Sequence, residues 1–101
     1  MFFSKKDSDQ QGLDINIGRV LEMFNTGVLG PDQARDAVAK FFGGEAQKDV
    51  ASLNRHLSRI LICLNDGTMD TNNARMALVN AAAASEKHDP HYADLLEHTA
   101  G

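Results

Sequence analysis

Apolar side chains recur at helical spacing through most of this chain. Leu13, Ile17, Val20, Leu21 and Phe24 lie at offsets of zero, four, seven, eight and eleven, one stripe of a helix with 3.6 residues per turn. Asn25-Thr26-Gly27 ends that stripe, because glycine adopts the left-handed backbone that helix termini often need. Gly30-Pro31-Asp32 opens a second helix: proline at the first helical position loses only an N–H without an intrahelical partner, and the acid suits the positive end of the helix dipole. Ala34, Ala37, Val38 and Phe41 form its inner face, and Gly43-Gly44 stops it. A third, longer helix is expected from near Glu45 or Ala46, carrying Val50, Leu53, Leu57, Ile60, Leu61 and Leu64. Asn65-Asp66-Gly67 closes it. Asp70 or Thr71 then caps a fourth helix with a narrow face of Ala74, Ala77, Leu78, Ala81 and Ala82. Asp89-Pro90 starts a short last helix anchored by Tyr92, Leu95 and Leu96. No strand signal of comparable strength is found.

The second half echoes the first. Laying residues 13–42 over 53–82 pairs Leu13 with Leu53, Arg19 with Arg59, Leu21 with Leu61, Asn25 with Asn65, Gly27 with Gly67, Ala34 with Ala74, Arg35 with Arg75 and Ala37 with Ala77. These matches fall at turns, inner faces and helix starts. One hairpin cannot hide its apolar stripe alone, so two copies should pack together. The expected fold is all-α: a four-helix core from two repeated helical hairpins (about 13–42 and 53–82) plus a short C-terminal helix. Residues 12–101 form a single helical domain. Residues 1–11, without apolar periodicity, are expected as a flexible N-terminal arm, with Phe2 and Phe3 loosely docked or held for a partner.

Composition narrows the function. At 101 residues the chain has one domain's worth of core, and 43 % hydrophobic with 24 % charged residues is an ordinary globular balance. A formal charge of −4 works against broad attraction to phosphate backbones or anionic lipid. No apolar window approaches a membrane span and the opening MFFSKKDSDQQ lacks the order of a secretory signal, so a cytoplasmic location is expected. The single cysteine, Cys63, is expected as a buried inert thiol within ILICL.

Few motifs carry chemistry. The phrase FNTGVLGPDQARDAVAKFFG resembles an EF-hand in its apolar residue, glycine, second apolar residue and following helix. A calcium loop places oxygen ligands at positions 1, 3 and 5 ahead of the glycine at 6. Here those positions hold Glu22, Phe24 and Thr26 in the first copy, and Ile62, Leu64 and Asp66 in the second, so no calcium is expected. His88, His91 and His98 gather near the C-terminus without a recognised zinc spacing. His56, between Arg55 and Arg59, is read as an exposed residue on the polar side of the third helix. With no phosphate loop and no triad signature, the expectation is no enzyme and no cofactor.

What remains is a small non-enzymatic module acting by contact: an adaptor, regulator or assembly subunit that binds another protein or a second copy of itself. Met23, Phe42, Ile62, Met69, Met76 and Val79 lie beside the expected core positions and are the candidate interface residues. Two alternatives stand beside it. A nucleic-acid-associated regulator would use a basic face of Arg55, His56, Arg59 and Arg75. A metal-responsive protein would use the C-terminal histidines.

Overall fold

In the computed structural model the backbone of residues 5–87 and 89–100 and the side chains of residues 11–87 and 89–96 are described. Five α-helices follow in order: α1 (Lys5–Asn25), α2 (Pro31–Ala39), α3 (Val50–Asp66), α4 (Thr71–Glu86) and α5 (Tyr92–Ala100), with a single 3-10 turn at Gly44–Lys48 between α2 and α3. The chain is all-helical, a four-helix core with a short C-terminal helix, as the spacing of apolar residues indicated.

The repeat is visible in the backbone itself. Gly27 and Gly67 take left-handed conformations, with φ of 84° and 82°. Around them the same hydrogen bonds form forty residues apart: Leu29 N–H donates to Met23 C=O at 3.2 Å and Met69 N–H to Cys63 C=O at 3.1 Å. Gly27 N–H donates to Phe24 C=O at 3.2 Å, and Gly67 N–H to Leu64 C=O at 3.4 Å. The side chains differ at the starts of the following helices. Asp70 accepts from Asn73 N–H at 2.7 Å, whereas Gly30, lacking a side chain, donates its own N–H to Gln33 Oε1 at 3.0 Å. Asn25 Nδ2 reaches Thr71 Oγ1 at 2.5 Å and ties the first turn to the second unit.

The helices pack across the repeat more than within it. α1 lies chiefly against α4 and α2 against α3, while α3 and α4 touch only sparingly. Each unit therefore opens, and its helices interlock with those of the other. Ile17, Leu21, Val38, Leu53, Leu57, Ile60 and Leu78 fill the shared core. Ala74, Ala81 and Ala82 are fully buried on α4, where their small side chains let α1 and the 3-10 turn come close. Ser85, also fully buried, donates to Ala82 C=O at 2.7 Å and accepts from Gly43 N–H at 3.2 Å, fixing the chain after α2 onto α4.

Several boundaries differ from the sequence reading. α1 begins at Lys5, so residues 5–11 are helical and not an irregular arm; Phe2 and Phe3 lie outside the described residues. Once a helix is nucleated, each further residue adds a hydrogen bond and needs no apolar period. α3 starts at Val50, not at Glu45 or Ala46, because Asp49 caps it: its carboxylate accepts from Ser52 N–H at 3.1 Å and Ser52 Oγ at 2.8 Å. Val50 itself is exposed. α2 ends at Ala39, after which the helical phase no longer applies, and Phe42 turns inward while Phe41 stays half-buried. Cys63 is half-buried.

Candidate functional site

The first half of α3 lies beneath α5 and beside the 3-10 turn, and the three enclose a cleft of about 440 Å³. His56 forms part of this cleft and is only 4 % exposed, which corrects its reading as a surface residue. It stands three residues after Leu53 and four before Ile60, so helix phase puts it on the inner stripe despite its polarity. Neither Nδ1 nor Nε2 finds a hydrogen-bond partner among the described residues. Burial, and then the Arg59 guanidinium, push its pKa down from 6.5 to about 4, so the ring is neutral near pH 7.

Tyr92, the first residue of α5, reaches the same cleft at 8 % exposure, its ring edge-on to Phe42 with centroids 6.5 Å apart. Its hydroxyl is also buried without a partner. Desolvation first, then the Asp49 and Glu45 carboxylates, raise the phenol to about 12, so it keeps its proton. Around these two rings stand Arg55 and Arg59, both exposed, with no carboxylate within 4 Å among the described residues. The two acids of the cleft are engaged: Glu45 holds Lys48 at 2.9 Å, and Asp49 caps α3. Hydrogen bonds from the Ser52 hydroxyl and amide keep the Asp49 carboxyl below its usual range.

A second depression, about 520 Å³, opens between the α1–α2 turn and the last two turns of α3. Phe24, Leu29, Pro31, Leu61 and Ile62 give it an apolar lining, and Asp32 and Asp66 stand at its edge. Ile62 is 61 % exposed here, and the neighbouring turn residue Val28 is 66 % exposed. Asp66 accepts from Thr68 N–H at 2.9 Å and from its hydroxyl at 2.5 Å, which lowers its pKa and holds its charge.

No protein family, curated protein or solved structure matches this chain. Function must therefore be argued from these two concave surfaces.

Of the residues expected at an interface, Ile62, Met76 and Met23 are exposed and Met69 is half-buried. Phe42 and Val79 are buried and withdrawn from that role: Phe42 packs on Tyr92, and Val79 lies on α4, which is covered from more than one side by α1, α5 and the 3-10 turn. Met76, on α4, is not part of the Ile62 groove. The expected basic face separates in the same way. Arg55, His56 and Arg59 share the cleft, whereas Arg75 is held on the opposite pairing of helices by Asp14 of α1 and by Asn72. Arg35 pairs with Asp32 at 3.5 Å and Asp36 at 3.4 Å, the acidic partners its place near a helix start requires. Among the C-terminal histidines, His91 is exposed and sits 3.1 Å from Asp89; His88 and the side chain of His98 lie outside the described residues. Among the described residues no three metal-ligating side chains converge, and no helix is long and apolar enough to cross a membrane. The cleft was hidden in the sequence because its two decisive residues, His56 and Tyr92, are far apart in the chain and fit ordinary helix positions.

Proposed function

We propose that this chain is a non-enzymatic assembly module whose groove, lined by Phe24, Leu29, Pro31, Leu61 and Ile62, takes an apolar segment from a second copy of itself. The observation that carries this reading is the exposure of Ile62 and Val28 beside an apolar depression edged by Asp32 and Asp66. Such a surface suits large apolar side chains followed by cations. The chain contains one segment of that composition, Phe2-Phe3-Ser4-Lys5-Lys6. It cannot serve its own groove: α1, 21 residues, runs about 30 Å from Lys5 to the turn beside Phe24. The three residues from Phe2 to Ser4 span at most about 10 Å. The contact is therefore made in trans.

Among the described residues, the nucleic-acid reading keeps only Arg55 and Arg59 of its four as accessible groups without an ion pair, and the metal reading has no converging ligands to support it. Light scattering across a concentration series tests the proposal. The expected result is a mass rising above the 11.0 kDa of one chain, with Ile62→Glu holding the protein at that mass. A strict monomer at every concentration, or an Ile62→Glu variant that associates as before, would remove the reading.

A further inference from the structure

The cleft between α3, the 3-10 turn and α5 lies apart from the Ile62 groove and is built differently. Its floor carries two polar side chains, His56 and Tyr92, each more than nine-tenths buried and each without a hydrogen-bond partner among the described residues. Buried polar groups in proteins are nearly always paired, and an unpaired one calls for an explanation. Leucine at position 56 and phenylalanine at position 92 would fill the same space without that cost. Their convergence on one open cavity points to an occupant that satisfies both.

The charges around the cleft indicate its other end. Arg55 and Arg59 are four residues apart on one helix, so they are neighbours on its surface. Among the described residues neither has an acid within 4 Å, in contrast to Arg35 and Arg75, which are paired. Three cations (Lys48, Arg55, Arg59) and two acids (Glu45, Asp49) line the cavity, leaving one net positive charge on a chain whose total is −4. The acids are committed to Lys48 and to the α3 cap, whereas neither arginine forms an ion pair among the described residues. Guanidinium forks bind carboxylate and phosphate oxygens through paired hydrogen bonds. A cavity of about 440 Å³ is of a size that holds small molecules.

We propose that this cleft binds a small oxyanion carrying a hydroxyl group, a hydroxycarboxylate or a phosphate monoester of a polyol. The anionic oxygens lie between Arg55 and Arg59, and the hydroxyl reaches His56 and Tyr92. Neutral imidazole offers one donor and one acceptor, and the protonated phenol offers a donor, so a hydroxyl can both give and receive a hydrogen bond there. Ala93 and Leu96 of α5 cover the carbon skeleton. The site does not depend on the assembly groove, and Ile62→Glu leaves it intact.

The test is a titration of the full chain with citrate and, separately, with glycerol 3-phosphate, followed by the NMR signals of the His56 and Tyr92 rings. Sodium chloride at matched ionic strength is the control. The expected result is a saturable shift of both rings with one of the two probes at or below about 1 mM. Which probe binds distinguishes the carboxylate source from the phosphate source. Arg59→Gln, an exposed substitution that leaves the core untouched, should weaken binding at least about tenfold. His56→Leu should weaken it too, while raising the melting temperature. The proposal is overturned if neither probe moves the His56 ring by about 10 mM, or if Arg59→Gln binds as well as the unaltered chain. Inorganic phosphate binding as tightly as glycerol 3-phosphate would overturn the assignment of His56 and Tyr92 to the ligand's hydroxyl.

Discussion

His56 shows how one side chain can oppose the stability of the fold that holds it. Its folded pKa of about 4 lies below the unfolded value of 6.5, so the unfolded chain takes up a proton in this range and the folded one does not. The stability associated with the neutral ring is fully present above pH 6.5 and is lost as pH falls towards 4. Arg55, Arg59 and Lys48 oppose its protonation, while Glu45 and Asp49 favour it. After allowing for solvent screening at the open cleft, the loss is on the order of 2 kcal/mol. Urea unfolding at a series of pH values from 7 down to 4 should trace it. His56→Leu should flatten the curve and add about 1 kcal/mol at pH 7, because an unpaired polar group gives way to an apolar one. An unchanged pH profile in that variant would mean that other groups cause the slope. Glycines offer a second residue-scale comparison. Gly12, inside α1, has nothing within 4 Å of an added Cβ, so Gly12→Ala should stabilise by about 0.5–1 kcal/mol. Gly67 also has open space but a φ of +82°, so Gly67→Ala should cost about 1 kcal/mol, with thermal unfolding as the measurement. Equal effects would deny the left-handed turn its role.

At the scale of elements, the readable features were those made by local chemistry. Gly27, Gly67, Pro31 and Asp70 each act within one or two turns of their own position, and each marks a helix end in the structure. The stripe on α3 was legible for the same reason. Less legible was Asp49, whose side chain captures Ser52 and moves the start of α3 forward from Glu45, leaving Gly44–Lys48 as a 3-10 turn. Propensity alone does not say which of several acids near a helix start becomes the cap. Asp70→Ala should therefore cost about 1 kcal/mol in thermal unfolding, since it removes the acceptor of Asn73 N–H at 2.7 Å. Asp49→Ala should cost a similar amount and also disorder the wall of the cleft, seen as faster amide exchange across residues 44–49. If only the stability changes, the cap and the 3-10 turn are independent. Phe42 and Val79 were misplaced for a different reason. Periodicity does not follow Phe42 past the end of α2, and it cannot report how many neighbours surround Val79 on α4, which packs against α1, α3, α5 and the 3-10 turn.

The whole molecule depends on how the two units interlock, and sequence spacing carries almost none of that. Identical turns at Gly27 and Gly67 predict two similar hairpins, but not that α1 would seek α4 and α2 would seek α3. The interlocked arrangement leaves the α1–α2 turn and the end of α3 side by side, which is where the Ile62 groove arises, and it sets that groove at the opposite end of α1 from Lys5. A contact between one copy's segment and another copy's groove joins two different surfaces, so it either closes reciprocally as a pair or extends into rings or open chains. This gives a prediction that a dimer joined groove to groove cannot mimic. A Phe2→Ser/Phe3→Ser variant keeps its groove but lacks the segment, and Ile62→Glu keeps the segment but lacks the groove. Each alone should remain at 11.0 kDa, and an equimolar mixture should yield a species of two chains and nothing larger. Raising the salt should weaken that pair, because the proposed contact would set the acids Asp32 and Asp66 of one copy against the lysines of the other copy's segment. Were both variants to stay monomeric even when mixed, the segment and the groove would not be partners, and the exposed apolar surface around Ile62 would need another occupant.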